Sequence, residues 1–470
     1  MEKCNWFETE FKYAELGDLR LKNRLIKIAN SIYNLPESPI NQSCETWSQA
    51  KAAYRFFKNK NVTTNLILSS HIKNTALRCR EHRRVLVVQD STPLVYRTHK
   101  KTTGLGNIAK KKGKTSKDTD SEGLIMHSSL ALTAEGVPLG FLDQKIFARH
   151  SRDKSDKRAK FNIPIEEKES YRWIESVVSS EKALAEMKNT KIVTICDREA
   201  DFYDLYRHCN DINSEFLIRA NKNRKVNKRS RFSEATGEKL QDFLKNLKSS
   251  GSFDFKPPAG KGNKDRRLNL RFGKFQLSAH HDNYKFRFER LPNIDTTAIF
   301  VNEPNPPEGE DPIEWILFTN MKIDSFDEAL EKVQWYCLRW RIEMFHKVLK
   351  SGFKIEYCRL ATAERLIKYL TLVSIIALKI FIVTLLCRSD PNLRCSIILE
   401  EEEWQVLYLK TYKKSPPKQP PKISQVIKWI AKLGGFLDRN GDSHPGTTAI
   451  WRGWKRLVDL TCGYRLARLI

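Results

Sequence analysis

Three acidic residues in a strongly cationic chain have the types and settings that could hold metal ions. Asp90 closes the apolar run "RRVLVVQDS", and Asp197 closes a second, "TKIVTICDREAD". At the carboxyl edge of an open α/β sheet side chains leave the core, and ligands bind there. Glu343 lies in "EALEKVQWYCLRWRIEMFHKVLKSG". A helix turning about 100° per residue puts Tyr336, Arg339, Glu343, Lys347 and Lys350 on one face of that segment. Leu330, Val333, Cys337, Trp340, Met344 and Val348 fall on the adjacent stripe, which is therefore expected to be the buried one. Neighbouring carboxylates repel one another unless a cation holds them. Oxygen ligands suit Mg²⁺ or Mn²⁺, and two such ions about 3.5–4 Å apart suit in-line displacement at phosphorus. Each acid alone also has a plainer role: a strand-ending or helix-capping aspartate, or an exposed Arg339/Glu343/Lys347 ladder whose pairs contribute about 0.2–0.5 kcal/mol each.

The elements that would position these residues follow from periodicity. Residues 1–75 have helical spacing: "LGDLRLKNRLIKIANSIY" places Leu21, Leu25, Ile28 and Ile32 on one side, with Arg20, Lys22, Arg24 and Lys27 supplying charge. "SQAKAAYRFFKN" continues the pattern. This cationic face either crosses a DNA backbone or is simply solvated. From residue 76 to 370 the period changes to strand (Arg83 to Ser91), hairpin ("LIMHSSLALTAEGVPLGFLDQKIF", turning at Glu135-Gly136), strand ending at Asp197, helix ("FYDLYRHCND") and strand ("EFLIRAN"). That order predicts an α/β domain with a mixed central sheet. A basic, β-rich insertion is expected over about 222–323, and a Pro/Lys linker (Lys413 to Lys422) precedes the last helical segments of a 371–470 region.

The composition bounds the function. The 470 residues carry 83 Lys+Arg against 56 Asp+Glu, a net charge of +27, together with 24 Phe, 10 Trp and 14 Tyr. So many aromatics exclude a disordered chain, and the charge on a folded surface favours polyanions, nucleic acid first and an anionic membrane second. Tyr369 to Cys387 is long and apolar enough to span a bilayer, but Lys379 at its middle predicts a buried core helix and no membrane partner. The amino-terminal residues have no apolar signal stretch. The 10 cysteines form no CxxC pair or Cys/His cluster, which argues against zinc and for a reducing compartment. "KKKGKTS" ends like a phosphate-binding loop, yet Ile108 stands where that motif needs glycine and no strand is expected just before it. The basic run from Lys100 to Lys117 is either DNA-contacting or solvated charge.

Taken together, "VVQDST" around Asp90, "CDREAD" around Asp197 and "YCLRWRIEMFHKVLKSG" resemble bacterial insertion-sequence transposases of the Asp-Asp-Glu type. Tyr336, Arg339, Glu343 and Lys350 match the Tyr-Arg-Glu-Lys signature of the hairpin-forming, cut-and-paste branch. "LGDLRLKNRL", "AAYRFFKN", "WILFTN" and "LGGFLDRNG…IWRGW" extend the likeness over nearly the whole chain. The resemblance implies a ribonuclease-H-like catalytic core in which Asp90, Asp197 and Glu343 hold two Mg²⁺ ions, with Mn²⁺ able to substitute. It implies that Tyr336, Arg339 and Lys350 grip phosphates at the transposon end, and that a flipped base stacks on Trp315, otherwise a strand core residue. Arg219 and Arg359 match further DNA-contacting positions, as do Arg24 and Arg55 in the amino-terminal region, whereas Leu21 stands where a relative has arginine. The carboxy-terminal helices would dimerise, or else cap the core. The expected partners are inverted-repeat DNA ends, target DNA and a second copy of the chain, at the nucleoid in a bacterial cytoplasm. Two alternatives are a stand-alone endonuclease on the same core and a catalytically inactive DNA-binding derivative.

Overall fold

A computed structural model of the chain describes residues 6–44, 46–96, 101–109, 121–149, 163–187, 189–226, 237–256, 265–279, 291–439 and 444–468. The "KKKGKTS" string and most of the Lys100 to Lys117 run lie outside the described residues. The strands are β1 (Arg84–Val95), β2 (Gly106–Ala109), β3 (Ser121–Leu132), β4 (Pro138–Phe147), β5 (Lys191–Cys196), β6 (Glu215–Arg219), β7 (Gly251–Phe255), β8 (Arg266–Leu277), β9 (Ile294–Asn302) and β10 (Glu314–Thr319). They form one sheet in the order β2-β3-β1-β5-β6-β10-β9-β8-β7, with β4 also paired to β3. β1, β5 and β6 run parallel, and the other pairings are antiparallel. The parallel strands read as near-continuous apolar runs because helices cover both of their faces. Leu86, Val88, Val193, Ile195 and Leu217 pack with Ile342, Phe345 and the Ala363–Ser389 helix. Phe216 and Ile218 pack on the other face with Trp173, Tyr203 and Tyr206.

This mixed α/β architecture, with helical regions before and after the sheet, agrees with the expected class, but several details differ. The β-rich segment, expected as an insertion, is continuous with the central sheet. Its last strand, β10, pairs with β6 through Leu317 and Arg219, so β7 to β10 extend the central sheet. Asp90 does not end its strand. It pairs with Ser128 of β3, and that antiparallel pairing continues to Val95. What ends near Asp90 is the parallel partner, since the last β1–β5 pair is Val88 with Ile195. A short strand, β2, does stand just before Lys110, although Ile108 within it is still not the glycine a phosphate loop needs.

The Glu343 segment is not one straight helix. It consists of Phe326–Cys337, a tightened turn, Trp340–Lys347 and a π-helical turn over Val348–Gly352. The N–H groups of Leu338, Arg339, Arg341 and Ile342 each donate to a carbonyl three residues back, at 3.0, 3.0, 2.9 and 3.2 Å. Three residues per turn instead of 3.6 rotates everything that follows. The second half therefore buries Ile342, Phe345 and Leu349, and Trp340, expected in the apolar stripe, is exposed.

The Ala363–Ser389 helix is long and apolar enough to cross a membrane, yet 83% of its most apolar window is buried inside the protein. Helices Leu19–Asn34, Trp47–Lys58, Thr64–Cys79, Ile423–Leu433 and Thr447–Ala467 and strand β4 pack around it. Lys379 at its middle lies 4.2 Å from the centre of the Tyr33 ring. This helix runs unbroken through the expected boundary at 370/371, and Thr64–Cys79 does the same at 75/76. Amphipathic changes in sequence do not coincide with chain breaks when one helix serves two regions.

Candidate active site

Where parallel pairing ends, Asp90 projects toward the tightened helix. Its Oδ2 lies 4.0 Å from Arg339 Nη1 and 3.7 Å from His346 Nδ1. Burial, with the charges of Asp197 and Glu343 added to it, pushes the Asp90 carboxyl up to about 7 against the pull of Arg339. The three acids expected to act together thus share one electrostatic field. Asp197 follows β5 and accepts a hydrogen bond from Glu199 N–H at 2.9 Å, capping the short turn Arg198–Ala200. It is a cap as well as a member of the acid cluster. Glu343 is ion-paired with Arg339, one turn earlier.

A cluster of hard oxygen donors with mutually repelling charge fits Mg²⁺ or Mn²⁺. Among the described residues no three such side chains yet close around one point. Arg339 stands between Asp90 and Glu343 and supplies the positive charge that a divalent cation would bring. Burial also pushes His346 down to about 3, with Lys350 and Arg339 adding to the effect, so a neutral imidazole sits beside Asp90.

Aromatic and cationic groups form the adjoining wall. Tyr336 is buried, which raises its pKa, while Arg339 and the hydrogen-bonded Arg219 oppose that shift. Trp315, half-buried on β10, has its ring centre 6.0 Å from that of Tyr336 and 5.2 Å from that of Phe255. Arg219 ends β6 and donates from Nη2 to the Glu314 carbonyl at 3.0 Å. Its Nε is buried with no hydrogen-bond partner among the described residues. Lys350 lies at the rim, its pKa lowered by burial and raised by Glu356, whose Oε1 accepts from Val95 N–H at 2.8 Å.

Seven of the expected residues therefore meet: Asp90, Asp197, Glu343, Arg339, Tyr336, Arg219 and Trp315, with Lys350 beside them. Arg359 is exposed beyond the turn Ile355–Tyr357. Arg24 and Arg55 lie on helices Leu19–Asn34 and Trp47–Lys58. Arg24 lines a cavity of about 510 Å³ together with Lys27, Gln49 and Asp459. No hydrogen bond or ion pair among the described residues links these three arginines to the acids. The sequence reading passes over His346, although its spacing of three from Glu343 on a helix is a usable signal. It also passes over Ser91, His127, Arg172 and Glu199, which form a hydrogen-bonded group beside the two aspartates. Ser91 and Glu199 stand close to the two aspartates in sequence, but Arg172 and His127, which join them, lie far from both in the chain.

Comparison with known families gives three successive matches. A transposase DNA-binding domain matches residues 3–62, a transposase DDE domain matches residues 178–379, and the transposase Tn5 dimerisation domain matches residues 375–470. The DDE match contains Asp197 and Glu343 and begins after Asp90. The three together support a DNA transposase of the insertion-sequence DDE type, with DNA as its partner and a homodimer as its assembly.

Proposed function

We propose, on the premise of those three domain matches, that the chain is a cut-and-paste transposase of the hairpin-forming branch. The observation that carries this is the meeting of Asp90, Asp197 and Glu343 with Arg339, Tyr336, Arg219 and Trp315 around the point where parallel pairing ends. On this reading residues 1–75 read the transposon end, with Arg24 and Arg55 against its phosphates. Residues 76–370 form a ribonuclease-H-like catalytic core and 371–470 pair two copies, in the cytoplasm of a bacterium.

Asp90, Asp197 and Glu343 would hold two divalent cations, which when bound activate an attacking oxygen and stabilise a leaving one. The side chains around them set the substrate. Arg339, Arg219 and Lys350 place positive charge against phosphates, and the Tyr336 hydroxyl adds a donor. Trp315 offers an aromatic face to a base forced out of its stack, and such stacking contributes about 1–3 kcal/mol per base. A hairpin requires that extrusion, because the tip nucleotide cannot stay stacked when one strand folds back. The sequence of reactions is hydrolysis of one strand, attack of the new 3′-hydroxyl on the opposite strand, hydrolysis of the hairpin and attack of the freed 3′-end on target DNA. Each is an in-line displacement at phosphorus, so one site suffices.

The deciding experiment is incubation with Mg²⁺ and DNA carrying the inverted repeats that flank the coding sequence. Hairpins and joined products are expected. Nicks alone would favour a stand-alone nuclease, and end binding without product an inactive derivative. Asp90→Ala, Asp197→Ala and Glu343→Ala should each abolish nicking while specific end binding survives.

A further inference from the structure

Asp90 lies in β1 and Asp197 directly follows its neighbour β5, but backbone pairing does not fix the distance between them. The last β1–β5 pair is Val88 with Ile195, so each aspartate lies beyond the shared ladder. One side chain bridges the gap. Arg172, on the helix Tyr171–Leu184, donates from Nε to Ser91 Oγ at 3.1 Å and from Nη2 to Glu199 Oε2 at 3.1 Å. Ser91 directly follows Asp90, and its hydroxyl is also hydrogen-bonded to His127 Nδ1 of β3 at 2.8 Å. Glu199 is the residue whose N–H donates to the capping carboxylate of Asp197. The same guanidinium donates from Nη1 to the Glu169 carbonyl at 2.8 Å and to Glu169 Oε1 at 3.3 Å. Glu169 is held in turn by Arg149, at 2.7 and 2.8 Å.

The chemistry of that bridge is specific to arginine. A planar fork with fixed donors can hold two acceptors at a set separation, which a single ammonium on a flexible stem cannot. The Arg172 side chain is only 11% exposed, and three of its nitrogens are engaged by protein acceptors. It is therefore poorly placed to grip a DNA phosphate. Groups that orient ligands from behind typically change metal affinity by about 10–100-fold when removed.

We propose that Arg172 is a positioning residue of the divalent-cation site, clamping the Asp90 and Asp197 segments at the separation that cation capture requires. This rests on the function proposed above.

The test is Mn²⁺ binding to the full-length, chelator-treated protein, followed by electron paramagnetic resonance, with end-DNA affinity measured in parallel. Arg172→Ala should weaken Mn²⁺ binding about 10–100-fold. Arg172→Lys should recover little of it, and Glu199→Gln, which removes one arm, should give a smaller loss. End-DNA affinity and its salt dependence should stay at wild-type values, and raised Mn²⁺ should restore nicking. Wild-type Mn²⁺ affinity in the Arg172 variants, while Asp197→Ala loses it, would overturn the positioning role. So would a lowered salt dependence, the mark of a lost phosphate contact. If Asp90→Ala and Asp197→Ala bind Mn²⁺ as wild type does, the metal assignment of the site falls instead. Should Arg172→Ala fail to fold, Glu199→Gln decides by the same readout.

Discussion

Asp90 is held in a setting that disfavours its charge, and this has a consequence for stability. A carboxyl pushed up to about 7 from an ordinary value of 3.8 stabilises the fold while protonated. That contribution is complete below the unfolded value and is lost as the pH rises through about 7. Asp90→Asn should therefore abolish nicking yet raise the stability of the fold at pH 8 in chelator by on the order of 1 kcal/mol or more, with a smaller difference at pH 5. Melting curves at the two pH values check this, and an equal offset at both would refute it. Trp315→Ala belongs to the same scale. It should leave the first nick intact and lower hairpin yield about 10–100-fold, in proportion to one lost stack. Unchanged hairpin yield on a gel would sink the base-stacking role. The two aspartates were legible in the sequence because apolar runs that stop at an aspartate are a local pattern. Arg172 was not, because what gives it a role is contact with Ser91 and Glu199 across the fold.

Among the elements, the Glu343 helix shows where local pattern stops being sufficient. Its helical period was plain, but Leu338 and Arg339 are good helix formers and give no sign of a tightened turn. The β3–β4 hairpin packs at this point, where a Cβ added to Gly136 would lie 2.6 Å from Leu338 Cδ2. Gly136 also has φ +85, which favours glycine on its own account. A second long-range fixture holds the first helix, Trp6–Glu10. Buried Glu10 accepts from His71 Nδ1 at 2.5 Å and from Arg78 at 3.1 and 3.2 Å, while His71 Nε2 accepts from Phe141 N–H at 2.9 Å. Burial alone would raise the Glu10 pKa, but His71 and Arg78 hold it at about 2, so its contribution is present above about 4.5 and lost as the pH falls toward 2. Burial lowers the His71 pKa, so the unfolded chain takes up that proton first as the pH drops below 6.5, and stability falls in the same direction. Glu10→Gln should destabilise the protein by about 1–3 kcal/mol at pH 7, since it leaves Arg78 without its carboxylate. Between pH 7 and pH 4 it should lose more stability than wild type does, because Glu10, still ionised there, is the group that raises the His71 pKa against burial. Parallel pH profiles in thermal melts would rule out this fixture as a source of acid sensitivity.

Across the whole molecule, the regions matched to DNA binding, catalysis and dimerisation share one core. Trp454 Nε1 donates to Tyr33 Oη at 3.1 Å, and Glu37 pairs with Lys354 at 3.1 Å, so helix Leu19–Asn34 and the loop after it are joined to the carboxy-terminal helices and to the segment after Lys350. The whole chain carries a net charge of +27, and the three acids that on the proposed reading hold cations lie among the described residues of this body. Charge of that size was legible from composition, but its division of labour was not, because composition does not say which cations meet phosphate. Salt dependence does. A protein that neutralises about 6–10 phosphates loses about 10³–10⁵ in affinity between 50 and 200 mM salt. End binding by this chain should fall within that range, measured by gel shift across a salt series. Arg24→Ala and Arg55→Ala, if they touch the backbone, should each reduce the slope by about 1. Asp197→Ala should leave the slope as it is, since it removes a cation ligand and no phosphate contact. A shallow slope in wild type would mean that the charge is largely solvated, and an altered slope in Asp197→Ala would mean that the acid cluster takes part in holding DNA before any cation is bound.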